Sequence, residues 1–198
     1  FLPALAIVAT FALGACGLLT EDTFIVYSVG DEGARDIVVA RSDGSDRRIV
    51  IAGPGDDFGA VWSPDHSRLA FLSDRDGNVN LYVGTVDGST VSPVTNTGVD
   101  ESQPTWSPDG QRIAYVSPDA DGTPRVYWVR FKDLLPNRLI FESNSEVDPA
   151  WSPNGTWVAF AALDDNGNSE GLFLRNPDGV NRLQLSASPD RNPVWSPD

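Results

Sequence analysis

Apolar residues in this chain come in short bursts from about residue 23 onward, and turn clusters such as "SDRDGN", "VDGST" and "SPDADGTP" interrupt them roughly every ten residues. After residue 20 no stretch repeats its apolar positions at i, i+3, i+4 and i+7, the spacing an amphipathic helix requires. The pattern predicts many short strands joined by tight turns. Asp and Gly in those turns supply the dihedrals and side-chain hydrogen bonds that hairpins need.

The bursts repeat. "WSPD" begins at Trp62, at Trp106 and at Trp195, and the variant "WSPN" begins at Trp151, so the same motif recurs every 44 or 45 residues. Seven residues after each of the first three tryptophans stands an apolar, small, aromatic triplet: Leu69-Ala70-Phe71, Ile113-Ala114-Tyr115 and Val158-Ala159-Phe160. Ile25-Val26-Tyr27 is an earlier copy without its Trp. Further on come "DIVV" (Asp36 to Val39), "NLYV" (Asn80 to Val83), "RVYW" (Arg125 to Trp128) and "GLFL" (Gly171 to Leu174). Asp-Gly turns follow at Asp43-Gly44, Asp87-Gly88 and Asp178-Gly179, whereas the third copy has "FKDLLPN" instead. A period of about 40 to 45 residues is that of a four-stranded propeller blade. Each unit is predicted to run from an inner strand ending at Trp-Ser through a tight turn into three further antiparallel strands. The four tryptophans, Trp62, Trp106, Trp151 and Trp195, are expected to be packing anchors that fill the wedge between neighbouring blades. His66, the chain's one histidine, stands where a turn glycine is expected, a place for left-handed backbone and not for catalysis.

The repeat resembles that of the TolB-type (WD40-like, WSPDG) beta-propeller family, seen here as "WSPDGQRIAY" (Trp106 to Tyr115), "WSPDHSRLAF" and "WSPNGTWVAF". The resemblance covers about residues 23 to 198 and implies an all-β propeller of four-stranded blades. About four blades are present, where six of this length would need about 264 residues, so the propeller is expected to be truncated at its C-terminus. The resemblance also implies three settings: free periplasmic proteins, lipoproteins, and lid domains of prolyl-oligopeptidase-like enzymes.

Composition narrows these settings. With 28 Asp and Glu against 14 Lys and Arg, the formal charge is -14, a field that repels phosphate backbones and sets nucleic acid aside as a partner. Residues 1–15, "FLPALAIVATFALGA", carry no charge and match the apolar core of an N-terminally truncated secretory signal. Cys16, the only cysteine, follows in "LGAC", which resembles a bacterial lipobox, and it is the expected site of lipid attachment ahead of a linker over 16–22. With one Cys, no disulfide within the chain is available.

Chemistry is sparse. A "GxSxG" elbow is absent from the sequence, and one His with one Cys make no His-rich or Cys-rich metal site. "DRDGN" (Asp74 to Asn78) and "DDNGNSE" (Asp164 to Glu170) lack the Gly and Glu of a calcium loop and are expected to be hairpin turns. One constellation remains. Five residues before each Trp stands a carboxylate, Asp57, Glu101, Glu146 or Asp190, in the segment that carries the chain from one blade to the next. Together they are expected to ring one mouth of the central channel and attract a cationic group or a basic peptide. The alternative for these acids is to accept hydrogen bonds from neighbouring loop amides. No cofactor is expected. The leading expectation is a lipid-anchored extracytoplasmic propeller of the bacterial envelope that binds a protein or peptide. The alternative is the gate of a prolyl-oligopeptidase-like serine peptidase, with an oligogalacturonate-lyase-like enzyme third.

Overall fold

The computed structural model describes residues 23–131, 136–138, 145–179, 181–187 and 189–197; the leader, the linker and Cys16 lie outside them. Among the described residues every ordered element is a strand, and the strands form four antiparallel sheets in chain order. The first holds β1 (Phe24–Val29), β2 (Asp36–Arg41) and β3 (Arg48–Ile51). The second holds β4 (Asp57–Trp62), β5 (Arg68–Ser73), β6 (Asn80–Thr85) and β7 (Val91–Pro93). In the third, β8 (Ser102–Trp106), β9 (Arg112–Pro118), β10 (Pro124–Arg130) and β11 (Pro136–Arg138) follow in order. The fourth runs from β12 (Ser145–Trp151) through β13 (Val158–Leu163) and β14 (Ser169–Arg175) to β15 (Arg182–Gln184).

Each sheet is a meander, as the repeat predicts, and its register explains the spacing of the motif. Phe71 pairs with Tyr82, Tyr115 with Tyr127 and Phe160 with Phe173, so in these three sheets the triplet's aromatic meets the aromatic of the following strand, while Tyr27 of the first meets Val38. The rings stack with centroids 5.7, 5.9 and 5.9 Å apart. Such pairs add to the area they bury and hold two strands in register.

The core lies between sheets. Val26, Ile37 and Val39 of the first sheet share one apolar cluster with Leu69, Phe71 and Tyr82 of the second, with Trp62 packed against it. Trp106 joins Ala70, Leu81 and Val83 of the preceding sheet, and Trp151 joins Ala114, Val116 and Val126. The small middle residues Ala70 and Ala114 therefore leave the room that the next blade's indole fills. Trp106 also donates its Nε1 hydrogen to Val61 O at 3.3 Å, and Trp195 donates to Ala150 O at 3.0 Å.

The turn after each Trp is a closed hydrogen-bonding unit. Ser63 Oγ donates to Asp65 Oδ1 at 2.6 Å and accepts from Arg68 N at 3.0 Å, while Ser67 N donates to the same carboxylate oxygen at 3.1 Å. These donors pull the Asp65 carboxyl down to about 2, the Ser63 hydroxyl contributing most. The residue after the acid takes left-handed dihedrals, φ 56° at His66, 66° at Gly110 and 69° at Gly155, which is why glycine is favoured and histidine tolerated.

Candidate functional site

The inner strands β4, β8 and β12 are the edge strands of their sheets, and consecutive inner strands lie against each other. Each is broken by a bulge, between Phe58 and Val61, Ser102 and Thr105, and Val147 and Ala150. Within each bulge, three residues before the Trp, one residue has a positive φ: Gly59 at 63°, Gln103 at 54° and Asp148 at 58°. Asn192 repeats the position ahead of Trp195, at 54°. Proline follows three of them, as Pro104, Pro149 and Pro193; it has no amide hydrogen to give to a ladder and so suits a bulge.

The bulges bring these side chains together along the inner edge. Gln103 Nε2 donates to Asp148 Oδ1 at 2.7 Å, and Gln103 Oε1 accepts from Asp148 N at 2.7 Å. Asp148 Oδ2 in turn accepts from Asn192 N at 3.3 Å and from Arg191 Nε at 2.7 Å. Gln103 and Asp148 thus each cap the strained backbone amide at the same position of the next repeat. Beside this relay opens a recess of about 260 Å³ lined by Gln103, Pro104, Asp148, Pro149, Asn192, Pro193 and Val194. Left-handed backbone costs a non-glycine residue roughly 1–2 kcal/mol. Three such residues at one repeat position, where Gly59 shows that glycine also fits, mark the inner edge as the candidate site.

The four carboxylates singled out by their spacing are placed differently. Asp57 is fully buried and forms a two-point ion pair with Arg75, whose Nη2 lies 2.7 Å from Oδ1 and 2.9 Å from Oδ2. Glu101 is buried and accepts from Thr95 Oγ1 at 2.5 Å, from Thr97 Oγ1, and from Ser117 Oγ at 3.5 Å. Burial pushes its carboxyl above the usual value, against the pull of these hydroxyls. Glu146 is buried and accepts from Val126 N at 3.3 Å. Asp190 is exposed, and its carbonyl accepts from Ser169 Oγ at 2.6 Å. Asp57, Glu101 and Glu146 are thus buried among protein partners: Asp57 is held by Arg75 of its own sheet, Glu101 by the connection that leads into β8 and by Ser117, and Glu146 by β10 of the preceding sheet. Of the four, Asp190 alone presents its side chain to solvent.

Sequence reasoning passed over the bulge residues. The signal was there in the recurring polar-Pro pairs Gln103-Pro104, Asp148-Pro149 and Asn192-Pro193, two positions closer to the Trp than the acids. The two acidic stretches are turns: Asp74 Oδ1 accepts from Asp56 N at 2.7 Å, and Asp164 Oδ1 from Asn166 N at 2.9 Å and Asn168 N at 2.8 Å. Among the described residues no three His, Cys, Asp or Glu side chains are grouped to hold a metal ion.

The TolB beta propeller domain family model matches residues 20–198. Among solved structures the chain is similar to a protein assigned as a TolB in Agrobacterium tumefaciens, with 23% identity and a TM-score of 0.75 over 88% of this chain and 67% of that one. It is similar to TolB from Acinetobacter baumannii at 19% identity and a TM-score of 0.68, over 84% of this chain and 42% of that one. To puromycin hydrolase the identity is 15% and the TM-score 0.69, over 86% of this chain and 28% of that one. The chain thus spans less than half of the latter two. No curated protein matches it in sequence.

Proposed function

The chain belongs to the TolB beta propeller domain family, and on that footing we propose that it is a non-catalytic binding and scaffold module of a bacterial cell envelope, holding a protein or peptide at the inner edge of its blades. The observation that carries this reading is the relay from Gln103 through Asp148 to Asn192 and Arg191. It lines an open recess with amide and carboxylate groups set between prolines, and the Arg191 guanidinium is bonded to that carboxylate. Such a surface offers amide donors and acceptors to a peptide backbone, between prolines that a peptide's apolar side chains can cover. The exposed Asp190 adds acceptor capacity at the rim.

The module is held at a membrane by lipid on Cys16 once the leader 1–15 is removed, a reading supported by the uncharged run and the small residues before the cysteine. A second reading, the gate of a prolyl-oligopeptidase-like peptidase, draws on the fold likeness to puromycin hydrolase.

One experiment separates them. A photo-crosslinking amino acid is placed at Asn192, and in a control at the outward Ser89, and the cells that make the protein are irradiated. An adduct with a separate envelope polypeptide from position 192, with none from 89, is the expected result. A crosslink from 192 into a hydrolase domain on the same polypeptide would favour the second reading, and equal labelling at both positions would overturn the first.

A further inference from the structure

The two faces of the blade stack carry different charge. One, the turn face, holds the turns that follow each Trp together with the β2–β3 and β6–β7 turns. The other, the loop face, holds the β1–β2, β5–β6, β9–β10 and β13–β14 turns and the connections between sheets. On the loop face Asp31, Glu32, Asp76, Asp100, Asp121 and Asp165 are all exposed. On the turn face charges alternate in sign. Arg47 and Arg48 are exposed beside Asp46, and Arg68 and Arg112 lie with their guanidinium carbons 5.2 Å from the Phe131 ring and 5.0 Å from the Trp128 ring. The other exposed acids of this face, Asp43, Asp65, Asp87, Asp109 and Asp178, are balanced by these arginines together with Arg130 and Arg182, whereas on the loop face Arg191 is the exposed cation among the described residues.

The chain enters the fold on the turn face. Thr23 O accepts from Ser42 N at 2.8 Å, as Ser67 O does from Val86 N at 3.2 Å and Gln111 O from Phe131 N at 2.9 Å. Thr23 therefore occupies the place that Ser67 and Gln111 occupy at the ends of their turns. Cys16 lies seven residues before Thr23, a tether of at most about 25 Å when fully extended. A six-residue strand from the turn face to the loop face is about 20 Å long. Reaching past the loop face would use nearly the whole tether.

We propose that the turn face is the membrane-facing surface of this propeller, lying against phospholipid headgroups, with the loop face and its carboxylates turned away. This rests on the lipid anchor at Cys16 proposed above. Tether length brings the turn face near the headgroups. Charge then selects the orientation, because anionic headgroups repel the carboxylate-rich loop face and meet interleaved Arg and Asp on the other.

The test uses the full chain, processed in a bacterial host and reconstituted into vesicles of phosphatidylethanolamine with a minority of phosphatidylglycerol. Gln111→Cys on the turn face and Ala120→Cys on the loop face each receive a fluorophore, and a headgroup-attached spin label in the lipid serves as quencher. Co-flotation of the protein with vesicles, lost in Cys16→Ser, reads the anchor by itself. The expected result is quenching several-fold stronger at 111 than at 120. Co-flotation with equal or reversed quenching would leave the anchor standing and overturn the orientation. Flotation unchanged by Cys16→Ser, or no flotation of either form, would overturn the anchor and the orientation with it.

Discussion

At the scale of single residues, burial decides what the acids do. Asp57 is fully buried, and its ion pair with Arg75 closes inside the second sheet, where the guanidinium also lies 5.0 Å from the Tyr82 ring. Removing one partner strands the other's charge, so Asp57→Asn is expected to cost about 3 kcal/mol in urea unfolding. A purely ligand-binding acid would leave the midpoint unmoved. Glu101 behaves in the opposite sense. Its folded-state pKa is raised above the ordinary 4.5 by burial, so the folded chain holds the proton more tightly than the unfolded chain. Its favourable contribution is therefore fully present below about pH 4.5 and is lost as pH rises through the raised value. Urea midpoints measured across that range should fall with pH in the wild type, and Glu101→Gln should flatten that part of the profile. The spacing of these acids was visible in the sequence, but their direction was not. A residue at the start of an inner strand can point along the channel or back among its neighbours, and the partners that choose, Arg75 and Thr95, come from a turn and a connection that the fold brings alongside.

At the scale of the elements, the Trp-Ser-Pro turn and the aromatic pair set the blade. Turn chemistry is local: Ser63, Asp65 and Ser67 satisfy one another within five residues, so their motif could be read directly. The indole's role is not local, since Trp106 packs against Ala70 and Val83 of the preceding sheet. Trp106→Ala is expected to cost about 3–5 kcal/mol, the range for a large buried aromatic. Trp195→Ala should cost clearly less, since that ring is 36% exposed against 7% for Trp106. Equal losses in thermal or urea melts would count against the wedge-filling account. The bulges were the least legible elements. Each adds a single residue to the inner strand, and only the pairing of β8 with β9 and of β12 with β13 reveals which residue is pushed out.

At the scale of the whole molecule, stability accumulates between neighbours. The second and third sheets have an apolar cluster on both sides, whereas the first and fourth each share in one. Where each unit contacts only the next, local opening follows the number of covered faces. Backbone amides of β5 and β9 are expected to exchange with solvent more slowly than those of β1 and β14, measurable by hydrogen exchange with mass spectrometry. Uniform protection would mean that the sheets unfold as one unit.

The sequence by itself determined the class of fold, the length of the repeat, the chemistry of its turns and the residues that anchor one blade to the next. These follow from patterns within about 45 residues of chain, and hydrophobic periodicity and turn dihedrals are legible over that distance. Only the tertiary structure decided that Asp57, Glu101 and Glu146 are buried against protein partners. It also decided that Gln103, Asp148 and Asn192 meet along the inner edge, and that the chain enters on the face where arginines balance the acids. Each of these depends on which strand lies beside which and on which way a bulge turns. Apart from those of Glu101, the contacts join residues about 20 to 45 positions apart, and periodicity along the chain does not encode them.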